Sequence, residues 1–142
     1  MMNAIKSYLA KAEAGFEYAD ISVLRALIGF VCLGWGIQLV WPGDLLATVP
    51  AWRAMIKIVG DEQALSIWPF AGAVIGLIAD IAGSKRLRAV GSMAAFSWWL
   101  FVLTTLLVGQ GYSTGLGVYV PIALFSGWVL YRDSIQLWQK PH

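Results

Sequence analysis

Arg25 and Asp80 are ionisable side chains set inside long apolar stretches, so chemistry is sought there first. Each is expected one turn, or ~6 Å, inside its helix, measured from the cytoplasmic end. Matched depth on adjacent antiparallel helices predicts an Arg25–Asp80 ion pair. An unpaired charge in mid-membrane costs about 2.5–3.5 kcal/mol on insertion scales, and less near the interface. The other chemistry open to an intramembrane carboxylate is a proton or ion relay. A single shallow carboxylate beside a cation makes a poor pathway, which favours pairing.

Catalytic constellations are not found. His142 is the sole histidine and the last residue, which removes His-based metal sites and His-activated nucleophiles. Cys32 is the single cysteine, so no intrachain disulfide forms. The glycines lie in apolar runs, and no phosphate-binding glycine loop carries its lysine. Ser97, Thr104 and Thr105 are expected to bond back to their own helix or across to a neighbour. No catalytic, cofactor-binding or metal-binding residue is assigned, and the chain reads as a non-enzyme.

The elements that must position Arg25 and Asp80 follow from hydropathy. Of 142 residues, 59% are hydrophobic and 13% charged, against about 25% charged in soluble domains. A net charge of +2, with its cations scattered, gives no reason to expect a nucleic-acid partner. A bilayer core about 30 Å thick needs about 20 apolar residues per helix. The chain supplies stretches of that kind at roughly 21–41, 64–83, 89–108 and 116–131. The expected fold is therefore all-α: one integral membrane domain over 1–142, with four transmembrane helices arranged as two hairpins.

Lys85, Arg86 and Arg88 are read as a basic turn between the middle spans. With Lys6, Lys11, Arg25, Arg132 and Lys140 they outweigh Arg53 and Lys57 on the opposite side. The positive-inside rule then puts both termini in the cytoplasm. The first apolar run follows Glu13, Glu17 and Asp20, too far in and too acidic for a cleavable signal, so the first span is expected to act as an uncleaved anchor. Asp20 or Ser22 suits a cap for it. Arg132 and Asp133 are read as the exit of the fourth span.

Two further helices are expected. Residues 3–18 place Ile5, Tyr8, Leu9, Ala12 and Phe16 on one face, as in an amphipathic surface helix, with a frayed leader as the alternative. A short helix over 50–59, with Thr48 as its cap, gathers Trp52, Met55, Ile56 and Val59. It reads either as interfacial, flat on the outer leaflet, or as a lid over the bundle. Gly29, Gly34 and Gly36 thin the first span, Gly72 and Gly76 form a G-x-x-x-G pair, and Gly91 and Ala95 line the third; such faces permit close helix approach. Trp35, Trp98 and Trp99 read as packing mass, favoured over a ligand platform. Trp41, Trp52, Trp68 and Tyr112 suit an outer aromatic belt, and Tyr18, Trp128, Tyr131 and Trp138 an inner one.

This hairpin-plus-hairpin layout, with three residues between Arg25 and Gly29 and a Gly34-Trp35-Gly36 run after them, resembles small four-span membrane proteins of bacteriophages, holins among them. The resemblance covers the whole chain in layout. It implies a bacterial inner-membrane protein that self-associates through its small-residue faces and opens lesions, and Met1-Met2 would allow two start sites. A second class is an accessory or scaffold subunit of a larger membrane complex. A small channel or carrier ranks third, because Gln38, Asp80, Arg25 and a few hydroxyls make a sparse pore lining. The expected partners are the lipid bilayer and either a second copy or another membrane protein. No cofactor is expected.

Overall fold

The computed structural model describes residues 5–7, 21–41, 52–110 and 116–139, and every regular element among them is helical. Helix α1 is Ile21–Val40, α2 is Arg53–Val59, α3 is Glu62–Ala82, α4 is Lys85–Gln110 and α5 is Leu116–Trp138. Among the described residues three helices, α1, α3 and α4, are long and apolar enough to cross a membrane. This is a helical bundle of the kind a membrane protein uses. Of the amphipathic helix expected over 3–18, only residues 5–7 are described, and they are helical. Asp20, Thr48 and Tyr112 lie outside the described residues.

Capping explains where α3 begins and ends. Asp61 has extended backbone, and its Oδ1 accepts the N–H of Gln63 at 2.9 Å, so the helix starts before the expected residue 64. An Asp61→Ala substitution is expected to cost about 0.5–2 kcal/mol, read as a lower thermal midpoint in detergent, with Asp61→Ser close to wild type. No difference between the two variants would remove the cap from the account. At the other end Gly83 takes φ 65°, and the N–H of Ser84 reaches back to the carbonyl of Ala79 at 3.1 Å. Gly83 N–H meets the carbonyl of Asp80 at 3.4 Å, which completes a Schellman stop.

That stop corrects the expected basic turn. Only Gly83 and Ser84 connect α3 to α4, and Lys85, Arg86 and Arg88 already lie on the first turns of α4. Ser84 starts this helix: its hydroxyl faces the N–H of Leu87 at 3.4 Å, and its carbonyl accepts the N–H of Arg88 at 3.0 Å. The cations are thus held on a rigid helix rather than a loop. The C-terminal boundary also moves. Helix α5 does not end at 131 but runs through Arg132 and Asp133 to Trp138. The charges that looked like an exit are interior to the helix, because Asp133 finds its partners inside the bundle.

Helix α1 packs along α3, α3 along α4, and α4 along α5, while α5 touches α1 more lightly. The core between them is aromatic at one end. Trp35 meets Trp52, Trp98 and Tyr119 edge-on, with ring centroids 5.2, 5.8 and 6.0 Å apart. Edge-to-face contacts of this kind add stabilisation beyond area burial. Trp68 turns inward instead of joining an outer belt, because its Nε1 donates to the carbonyl of Ala94 and to Ser97 Oγ at 3.2 and 3.1 Å. Met55 of α2 is fully buried and Trp52 packs on the cluster, so α2 sits against the bundle.

Candidate functional site

Near the opposite end of the bundle, four helices bring polar side chains to one point. Arg25 projects from the first turns of α1, Asp80 from the last turns of α3, Ser92 from α4 and Asp133 from α5. Antiparallel hairpins put all four at the same level, since the N-terminal turns of α1 and α4 lie beside the C-terminal parts of α3 and α5. Arg25 is the hub. Its Nε and Nη2 donate to Asp133 Oδ2 and Oδ1 at 3.1 and 2.5 Å, a two-pronged fork. Its Nη1 donates to Asp80 Oδ1 at 2.8 Å. Ser92 Oγ donates to Asp133 Oδ2, and Arg88 Nε lies 3.3 Å from Asp80 Oδ1 without the alignment of a hydrogen bond.

Burial divides this cluster into a deep half and a shallow half. The Asp133 side chain is 0% exposed and that of Arg25 9%, whereas Asp80 is 32% and Arg88 26% exposed. Two cations face two carboxylates, so the cluster is neutral as a whole. Buried charge persists only when paired and hydrogen-bonded, and the Arg25 fork on Asp133 meets that requirement. The arrangement ties α1 to α3 and α5, with α4 joined through Ser92.

Asp133 is the residue that sequence reasoning missed. Next to Arg132 it reads as the exit of the fourth span. The available signal was helical register: Asp133 follows Ser126 and Val129 at spacings of three and four, and both of these are buried. Extending α5 past Tyr131 puts Asp133 on that same inward face.

The small residues divide into those in contact and those facing open space. A Cβ on Gly91 would stand 2.9 Å from the Gly76 nitrogen, and one on Gly72 would stand 3.2 Å from the Ala95 nitrogen. Gly72, Gly76, Gly91 and Ala95 therefore form the α3–α4 contact inside one chain. A Cβ on Gly36 would stand 2.9 Å from the Phe70 ring. Gly29 and Gly34 have nothing within 4 Å of that position, nor does the Cβ side of Gly76. Ser97, Thr104 and Thr105 bond back to Ala94, Leu100 and Phe101 of their own helix. Among the described residues no His, Cys, Asp and Glu group could hold a metal ion.

Beside the ionic cluster lies a crevice of about 300 Å³, reached by Gly29 and Phe30 of α1, Gly76 and Leu77 of α3, and Ser126 of α5. Its lining is apolar apart from Arg25, Asp80, Ser92 and Ser126.

No protein family, no curated protein and no solved structure matches this chain.

Proposed function

We propose that this chain is a four-span protein of the bacterial inner membrane, with both termini in the cytoplasm, that serves as an accessory or scaffold subunit of a larger membrane complex. The observation behind this reading is that the close α3–α4 crossing and the Arg25 ionic cluster are both completed within a single chain. Gly72, Gly91 and Ala95 are used between α3 and α4, and Arg25 takes both carboxylates. Outside, Ile67, Leu77, Ile81 and Leu124 present an apolar surface suited to lipid or to another membrane helix. Helix α5 counts as the fourth span because residues 116–131 carry no charge and Asp133 is neutralised by Arg25.

A second reading, a self-associating holin-type protein, draws on Gly34. It is exposed on α1 with open space where a Cβ would stand, a place for another helix.

Controlled expression with a potential-sensitive dye separates the two. An accessory subunit leaves growth and membrane potential intact, and purification from native membranes in mild detergent brings a partner in fixed stoichiometry. Abrupt collapse of the potential, with a homo-oligomer on purification, would overturn the accessory reading in favour of the second.

A further inference from the structure

We infer that the crevice between α1 and α3 binds one long-chain lipid with an uncharged hydroxyl or ester-carbonyl head, its head bonded by Ser126 and its tail leaving past Phe30 and Leu77. The inference rests on the chain lying in a membrane. It does not depend on the chain being an accessory subunit.

Space is the first observation. Interiors are close-packed and rarely leave voids larger than a water molecule. Here about 300 Å³ is open, roughly twice an apolar cavity that takes up benzene and at the lower end of small-molecule pockets. Glycine keeps it open at two places: a Cβ on Gly29 or Gly76 would meet nothing within 4 Å. Phe30 and Leu77, at its border, are 77% and 63% exposed, so the crevice faces the side where lipid chains lie.

The second observation is independent of the small residues. The buried hydroxyls among the described residues are Ser66, Ser92, Thr105 and Ser126. Ser66 donates to Gln63, Ser92 to Asp133 and Thr105 to Phe101. Ser126 Oγ has no partner, although its residue is 1% exposed and lines the crevice. A helical serine ordinarily bonds back to its own helix, and an unmade hydrogen bond in apolar surroundings is unfavourable. A ligand oxygen would complete it.

Charge then selects the head group. Arg25 is the cation among the crevice-lining residues, and it is shared by Asp80 and Asp133, so the lining offers no free positive charge to an anionic head. A phosphate in the crevice would face the Asp80 carboxylate in its wall. An ammonium would compete with Arg25 for that carboxylate. An uncharged head avoids both conflicts, as in a diacylglycerol.

The test uses the full chain in phosphatidylcholine nanodiscs, irradiated with a small fraction of a diazirine-bearing diacylglycerol, and peptide mass spectrometry to map the label. Label should concentrate within residues 26–33 and 72–80 and be displaced by unlabelled diacylglycerol but not by added phosphatidylcholine. Gly29→Leu with Gly76→Leu should lower that label roughly tenfold or more. Ser126→Ala, a one-atom change that spares the fold, should lower it roughly fivefold to tenfold at limiting probe. Three results would overturn the inference: label spread evenly over Leu107, Leu124 and the crevice, label unchanged in Ser126→Ala, or equal crevice labelling by a diazirine phosphatidylcholine. Because the isolated chain is used, failure here leaves the accessory reading to be judged by the potential measurement.

Discussion

Arg25→Leu is expected to destabilise the bundle by about 3–5 kcal/mol, the cost of stranding a buried charge by removing its partner. Asp133 is the reason. Its side chain is 0% exposed, and without the guanidinium fork it retains only the Ser92 hydroxyl. Equilibrium unfolding in mixed micelles, followed by tryptophan fluorescence, measures the loss. The double variant Arg25→Leu/Asp133→Leu should recover most of it, because apolar replacement of a whole buried pair is often neutral or better. Asp80 then keeps Arg88 beside it at 3.3 Å. The coupling in this cycle assigns the effect to the pair rather than to either helix. A single variant within 1 kcal/mol of wild type would mean that water or lipid head groups reach Asp133 and that the clamp contributes little. Asp80→Asn should cost less than Asp133→Asn, since Asp80 is the more exposed carboxylate. If Asp80 were part of a relay, that substitution would abolish transport while leaving stability nearly unchanged.

Gly91→Ala is expected to cost about 1–3 kcal/mol through overpacking. The added methyl would stand 2.9 Å from the nitrogen and 3.1 Å from the Cα of Gly76, and 3.3 Å from the carbonyl carbon of Ile75. These are backbone atoms, so no rotamer change relieves the clash and α3 must move away from α4. That movement would carry Asp80 away from Arg25. Gly29→Ala is the matched control. Nothing lies within 4 Å of its new methyl, so stability should hold or rise by up to about 1 kcal/mol from helix propensity alone. The same unfolding measurement reads both. Equal losses at the two positions would show that the cost comes from losing glycine in general, not from the close crossing of α3 and α4.

Much of the bundle was readable because length and apolar content are strong signals in helices that need no polar face. The pairing of Arg25 with Asp80 was within reach of sequence because depth alone places both residues. Asp133 was hidden by its neighbour: Arg132 and Asp133 look alike in a hydropathy profile, and only the continuation of α5 turns one of them inward. Charge marks the membrane border, so the sequence points to a turn at Lys85, Arg86 and Arg88, but where the backbone turns is set by Gly83 and Ser84. Small residues mark contact positions in a sequence without giving a direction. Gly72 meets Ala95 and Gly91 meets Gly76 within one chain, and a helix sequence does not tell an internal neighbour from a second copy. The crevice was invisible for a related reason. An open volume depends on what several helices leave unfilled, and Gly29 has the same local sequence signature whether its neighbour is a ring or nothing.

The order of synthesis gives the Arg25 hub a last consequence. Arg25 leaves the ribosome 55 residues before Asp80 and 108 residues before Asp133. During that interval its charge must wait at the bilayer border, where hydration is still available, because the apolar centre would impose the cost of a bare cation. Asp80 and Arg88 emerge close together and lie 3.3 Å apart in the folded hairpin. The tightest two-pronged bond forms last, so a nascent chain stalled before Asp133 holds Arg25 only through the shallower of its two carboxylates.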